Sequence, residues 1–166
     1  MDENERLIVA LTQTLNLVAK RISPQRDESL VNRAPARGEW SVRDIIAHLR
    51  DHEAVAFAKL HLMATSEVPD FRHATLNTGV VYDPHDSVFI VMSQFRRLRH
   101  STLSLLIELP PDAWRRAARD VDNRAISIRD LAESLLRHDR EHVARIDEVL
   151  IARGALPHTV RPLVNA

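Results

Sequence analysis

Cysteine is absent from this chain of 166 residues, which excludes disulfide bonds, thiolate metal ligands and a cysteine nucleophile. Glycine occurs only 3 times, so we expect no fold built on glycine-rich phosphate-binding loops. An excess of one charge is also missing, because Lys plus Arg and Asp plus Glu number 23 each. A balanced chain lacks the positive field on which dedicated nucleic-acid binding depends. The sequence therefore predicts no nucleic-acid partner.

Long apolar runs are missing as well. A transmembrane helix needs about 20 consecutive apolar residues, and the apolar runs of this chain are only a few residues long. The segment 1–5 is acidic, whereas a secretory signal begins with a basic segment followed by an apolar one. We therefore expect a cytoplasmic protein with no membrane partner, and the length favours a single domain over residues 1–166.

Four segments contain apolar residues at a period near 3.6, the spacing of one helix face. No segment of useful length alternates with the period of 2 that a half-buried strand requires. Four amphipathic helices joined by long connections indicate an all-α four-helix bundle, with an irregular tail from about residue 154. The predicted helices run from about Asn4 to Arg21, from Ser41 to about Thr65, from near Ser87 to about Leu109, and from Ser127 to just before Gly154.

Two of these helices begin with the same capping pattern. Ser41 can cap the backbone N–H of Asp44, Asp44 can return the bond, and Trp40 before the cap can pack on Ile45. The segment 126–131 repeats this pattern. These signals predict the N-termini of the second and fourth helices.

The connection over residues 66–86 shows no clear helical period and is long for a compact domain. A loop of this length can cover a pocket, in which case His73, Tyr82 and His85 would become relevant to a site. Several histidines have no paired spacing and are expected at the surface or in loops: His61, His73, His85, His100 and His158.

Histidine is the residue type with the most chemical promise, since the chain has 9 of them. His138 and His142 are one helical turn apart on the last predicted helix. With Leu131 at zero on a helical wheel, they lie at about −20° and about +20°, in the middle of the apolar stripe. Two adjacent inward imidazoles are costly to bury without shared partners, which favours a metal ion over two separately hydrogen-bonded core histidines.

A further ligand must come from another helix. His48 and His52 form a second pair at the same spacing, and Glu53 follows. On the wheel Glu53 lies near the middle of the apolar stripe, His52 at its flank and His48 farther round. Periodicity alone therefore favours Glu53 or His52. An inward Glu53 could be a ligand, a general base or a partner that orients an imidazole, or it could reach water at an open end of the bundle.

At this point two segments resemble a known family. Residues 40–49 read W-S-V-R-D-I-I-A-H-L, which resembles the W-S-x-x-(D/E)-(I/V)-(L/I)-x-H-L segment of DinB-like proteins. Residues 138–142 read H-D-R-E-H, which resembles the H-x-x-x-H signature on the last helix of those proteins. The resemblance extends over essentially the whole chain in the order and spacing of the helices. It implies a four-helix bundle and a homodimer.

The resemblance also implies a divalent metal held by three histidines, which by position are His48, His138 and His142. It is the reason for preferring His48 to His52, against the wheel. The superfamily includes thiol-dependent S-transferases and mycothiol-dependent maleylpyruvate isomerases. Three neutral imidazoles leave a divalent ion with open positions, as in catalytic sites. Imidazole suits zinc, nickel, copper and iron, and we expect zinc or nickel.

These expectations lead to a hypothesis about function. A thiol that binds a metal ion loses its proton, so a low-molecular-weight thiol could supply the nucleophile that this cysteine-free chain lacks. The sequence and the resemblance together favour a metal-dependent transferase that activates such a thiol for attack on a small electrophilic substrate. The alternative is a non-catalytic metal-binding stress-response protein.

Arg99 is predicted near the middle of the inward stripe of the third helix, where a guanidinium needs an anion or access to water. It could bind a carboxylate of a thiol cosubstrate. Alternatively, it could pair with an internal carboxylate such as Glu53.

Overall fold

The computed structural model of the protein describes residues 1–72, 76 and 80–155. The predicted four-helix bundle is confirmed: its long helices are α1 (Glu3–Ile22), α3 (Val42–Thr65), α4 (Val88–Glu108) and α5 (Ile128–Ala152). A single-turn helix α2 (Ser29–Asn32), a 3₁₀ helix (Pro111–Arg115) and an antiparallel hairpin of β1 (Ala117–Arg119) and β2 (Ala125–Ser127) occupy the connections. The predicted tail largely falls on residues 156–166, outside the described residues.

Reciprocal capping boxes fix where α3 and α5 begin. Ser41 Oγ accepts from the backbone N–H of Asp44 at 3.0 Å, and Asp44 Oδ2 accepts from the N–H of Ser41 at 2.9 Å. Ser127 and Asp130 make the same two bonds at the start of α5. Each box satisfies backbone N–H groups that a helix start would otherwise leave without partners.

The long helices α1 and α3 lie diagonally across the bundle, and each packs against both α4 and α5. Their apolar stripes form two hydrophobic clusters along the bundle axis. The first cluster includes Leu15, Val18, Ile45, Leu49, Phe95, Val143 and Ile146, and the second includes Leu7, Leu11, Leu60, Leu103, Leu106, Trp114 and Leu135.

A buried polar layer lies between the two clusters. It takes one side chain from each long helix, and all four are at most 2% exposed. On every helix the polar residue falls between positions that belong to different clusters. The four residues are Thr14, Glu53, Arg99 and Asp139, and we call them the Arg99 layer.

The connection before α4 is described only in part, because residues 73–75 and 77–79 lie outside the described residues. Phe71 is buried, and its N–H donates to the carbonyl of Arg119 at 2.8 Å. Tyr82 lies under the guanidinium of Arg50, whose Cζ is 3.7 Å from the ring centroid, and His85 is exposed. His73 is among the residues not described. Within the described part of the chain, no helix combines the length and apolar character needed to cross a membrane.

Candidate metal centre

Four histidine rings meet where α3 packs against α5. His48 and His52 are one turn apart on α3, and His138 and His142 are one turn apart on α5. Side chains at this spacing share a helix face, so each helix directs its pair toward the other. The ring centroids of His48, His138 and His142 are 4.4 to 5.0 Å apart.

The donor atoms of three rings converge. One ring nitrogen from each of His48, His138 and His142 lies within 4.8 Å of the others. Nε2 of His48 is 3.0 Å from Nε2 of His138. Nitrogen ligands at about 2.0–2.1 Å around a tetrahedral ion are about 3.3 Å apart, so this donor set fits a divalent metal with only small ring movements.

The protonation state of the rings also fits metal binding. Burial, followed by the neighbouring rings of His52 and His142, lowers the pKa of His138 to about 3. Burial, followed by the nearby His48, lowers the pKa values of His52 and His142 as well. Neutral imidazole is the form that ligates metals, so these environments favour the binding-competent state.

Three ring nitrogens of the histidine cluster are buried without a partner among the described residues. Nδ1 of His52, His138 and His142 is buried and has no hydrogen-bond partner among the described residues. Buried polar atoms are normally hydrogen-bonded, and leaving three unsatisfied in one cluster is costly. The cluster is therefore incomplete on the basis of its own side chains.

His52 occupies a different place from the other three. Its ring lies flat against that of His138, with centroids 3.7 Å apart and planes 14° apart. The convergent donor set found in the described residues contains His48 and does not contain His52. On the helical wheel His48 lies outside the apolar stripe of α3, but its side chain extends from the flank of the helix to reach His138.

Trp40 borders the cluster, a position that the sequence did not predict. Its ring centroid lies 5.1 Å from that of His48 and 6.4 Å from that of His142, stacked on the latter at 17°. The residue is 41% exposed, whereas Trp114 is 2% exposed in the second cluster. Trp40 precedes α3, so a helical wheel gives it no direction. Its indole forms an apolar border between the histidines and solvent.

Arg99 is fully buried and bound to two carboxylates. Its Nη2 donates to Glu53 Oε2 at 2.7 Å and to Asp139 Oδ1 at 2.9 Å, and its Nη1 donates to Asp139 Oδ2 at 2.7 Å. Nη1 also donates to the carbonyl of Leu11, and Thr14 Oγ1 donates to Asp139 Oδ2 at 2.8 Å. Although burial alone would lower the pKa of Arg99, the two carboxylates raise it above its ordinary value.

These contacts bear on what the sequence predicted for Arg99 and Glu53. Arg99 was predicted to bind a cosubstrate carboxylate or to pair with an internal carboxylate, and the structure contains the internal pairing with Glu53 and with Asp139. Glu53 is fully buried, so it does not reach water at a bundle end. Its Oε1 has no hydrogen-bond partner among the described residues. Asp139 was missed because the wheel places it about 80° from Leu131, at the edge of the apolar stripe.

Comparison with known sequences places the chain in a family. A profile of the DinB superfamily matches residues 10–146. A protein of Oceanobacillus iheyensis, described as a candidate metal-dependent hydrolase, is 29% identical over 110 residues. That match covers 66% of this chain and 64% of the relative, so the chain spans slightly less than two thirds of the relative's length.

Solved structures show the same fold. YfiT from Bacillus subtilis, described as a candidate metal-dependent hydrolase with an unusual four-helix bundle topology, superposes with a TM-score of 0.75 at 18% identity. The match covers 94% of this chain and 91% of YfiT. A mutant of a mycothiol-dependent maleylpyruvate isomerase matches with a TM-score of 0.59 at 14% identity, over 96% of this chain and 66% of the isomerase. Since the family profile covers most of its length, this chain belongs to the DinB superfamily.

Proposed function

We propose that this chain binds one divalent metal ion, zinc or nickel, through His48, His138 and His142. We further propose that it is a transferase acting on a low-molecular-weight thiol and a small electrophilic substrate. The observation that supports this proposal is the convergence of three ring nitrogens within 4.8 Å of one another. A divalent ion at that point would supply positive charge, which lowers the pKa of a thiol or water that it binds.

The composition of the chain and the surroundings of the rings bear on how a thiol would reach the site. Cysteine is absent, so a sulfur nucleophile must enter as a second small molecule. The three rings are half-buried, which keeps one side of the cluster accessible to such a molecule. Trp40 gives that side an apolar, partly exposed surface against which a substrate can pack. The mycothiol dependence of the isomerase with the same fold agrees with a thiol cosubstrate.

Metal binding is tested first, on protein purified without a histidine tag. We expect about one equivalent of zinc or nickel after reconstitution, measured by elemental analysis, and less than about a tenth of an equivalent in the His138→Ala variant. His100→Ala is the matched control, because His100 is an exposed histidine on a neighbouring helix. Equal metal content in the His138 variant and the native protein would exclude the proposed ligand set.

Turnover is tested with electrophiles in the presence and absence of a small thiol. We expect the native protein to accelerate thiol addition or thiol-dependent isomerisation, and His138→Ala to lose that acceleration. Equal rates in the two proteins would defeat the transferase proposal.

A second candidate function is metal-dependent hydrolysis. It is favoured by the descriptions of two similar proteins, the Oceanobacillus relative and YfiT. Hydrolysis of ester or amide substrates without any thiol would support it over the transferase. Metal binding without either activity would support the non-catalytic stress-response alternative. The homodimer and the cytoplasmic location stay predictions.

A further inference from the structure

The Arg99 layer has more negative than positive charge. In their ionised forms Glu53 and Asp139 contribute two negative charges, and Arg99 contributes one positive charge. In the described part of the chain, no second cation pairs with these carboxylates. All three side chains are fully buried, where an uncompensated charge is strongly disfavoured. The fold therefore contains a buried site that lacks one positive charge.

That negative charge lies directly beside the histidine cluster. Asp139 follows His138 on α5, and Glu53 follows His52 on α3. Asp139 also lies three residues before His142 on α5, a spacing at which side chains are neighbours on the helix surface. A cation bound by the rings would therefore lie close to the carboxylate of Asp139 and would be attracted by its charge.

We propose that Glu53 and Asp139, held by Arg99, are positioning residues that provide the counter-charge for the divalent ion. This inference rests on the proposed function, because it assumes that His48, His138 and His142 bind a metal. Partners that lie behind metal ligands change metal affinity by about 10- to 100-fold when they are replaced. Here the effect arises from charge, since among the described residues no hydrogen bond joins the layer to the Nδ1 atoms of His52, His138 and His142.

The molecule contains a matched control for this effect. Arg21 on α1 pairs with Asp147 on α5, with Arg21 Nη2 3.0 Å from Asp147 Oδ2. Both side chains are nearly buried, at 4% and 12% exposure, and the pair brings one charge of each sign. Asp147 lies eight residues beyond Asp139, about 12 Å farther along the helix. Its loss removes a buried carboxylate of the same helix without removing charge next to the rings.

The experiment compares D139N, E53Q and D147N, which keep side-chain shape and remove one charge each. Metal-free protein is titrated with zinc in competition with a chromophoric chelator. We expect D139N and E53Q to weaken zinc binding by about tenfold or more, and D147N to change it by less than about threefold. Circular dichroism verifies that each variant is folded, and D139E, which restores the charge, should recover part of the loss.

Several outcomes would overturn the inference. The inference fails if folded D139N and E53Q both bind zinc within about twofold of the native affinity. It also fails if D147N loses as much zinc affinity as D139N and E53Q do, because the loss would then not depend on charge next to the rings. Two carboxylates on different helices are tested, so a folding failure of one variant leaves the other to decide. Failure of native protein to bind zinc or nickel would contradict the proposed function itself, and is distinguishable from these results.

Discussion

Two groups of polar side chains lie next to each other in the middle of this bundle, and the chain satisfies them differently. In the Arg99 layer, Arg99 makes four hydrogen bonds to other groups of the protein, and Asp139 accepts three. In the histidine cluster, three buried Nδ1 atoms have no hydrogen-bond partner among the described residues. Both groups take side chains from α3 and α5, so the difference between them is one of chemistry rather than of location.

The comparison shows how a structural polar group differs from a ligand-binding one. Burying a polar atom without a partner costs about 1–3 kcal/mol, and a fold normally removes that cost internally. The Arg99 layer does so for most of its polar atoms, although Glu53 Oε1 and Arg99 Nε have no partner among the described residues. The histidine cluster does not, and its ring nitrogens converge on a point that an ion can occupy. An ion bound at that point is the simplest explanation for the convergence of these nitrogens.

Removing the cation of the Arg99 layer should have the largest effect on stability. Arg99→Met leaves Glu53 and Asp139 buried without their partner, and we expect the free energy of unfolding to fall by about 3–5 kcal/mol. Arg21→Met is the control, since it removes the partner of one carboxylate, Asp147, whose side chain keeps 12% exposure, and should cost about 1–3 kcal/mol. Urea unfolding of metal-free protein measures both. An Arg99 variant as stable as the Arg21 variant would contradict the special role of the layer.

Adding metal should complete the histidine cluster and stabilise the fold by a smaller amount. A ligand that binds only the folded state at 100 times its Kd adds about 2.7 kcal/mol to the free energy of unfolding. We expect a gain of this size when zinc is added to native protein in urea unfolding. The His142→Ala variant should gain much less, and His61→Ala, which lacks an exposed histidine of α3, should gain as much as native. A full gain in the His142 variant would argue against the cluster as the binding site.

Acid should destabilise the cluster in metal-free protein, with a modest effect. The folded-state pKa of His138 is about 3, below its ordinary value of 6.5, because burial disfavours the charged ring. Between these two values the unfolded chain binds more protons than the folded chain, so the free energy of unfolding falls as the pH falls through this window. Urea unfolding with a chelator between about pH 8 and pH 5 measures the slope. The slope of unfolding free energy against pH should be shallower in His138→Gln and unchanged in His100→Gln. Equal slopes in these two variants and the native protein would contradict the lowered pKa of His138.

Much of the fold was predictable because local signals and global packing agree. The capping pairs Ser41–Asp44 and Ser127–Asp130 fix two helix starts, and the period near 3.6 identifies the buried face of each long helix. The hairpin of β1 and β2 was not predicted, because three-residue strands are too short to show alternation. Asn123 forms its turn at a φ of 67°, and a single asparagine gives no such signal in advance.

The site was predictable in part, and the reasons are geometric. His138 and His142 lie in the middle of the stripe of α5, so periodicity directs them inward. His48 needed the family resemblance, because a wheel records the direction of a side chain and not its reach. The pairing of Arg99 with Asp139 joins residues on different helices, and no single-helix pattern can indicate it.

The smallest expected effect is that of replacing Trp40, since this residue borders the histidine cluster but is 41% exposed. Trp40→Phe should change the free energy of unfolding by less than about 0.5 kcal/mol, because surface substitutions usually do. The chain has 2 tryptophans, so the Trp114→Phe variant emits from Trp40 alone. Nickel or copper ions quench nearby indoles, and we expect this variant to be quenched on metal addition while Trp40→Phe, which retains the remote Trp114, is not. Equal quenching of both variants would mean that the ion binds away from His48 and His142, and the contrast between the two polar groups would then need another explanation.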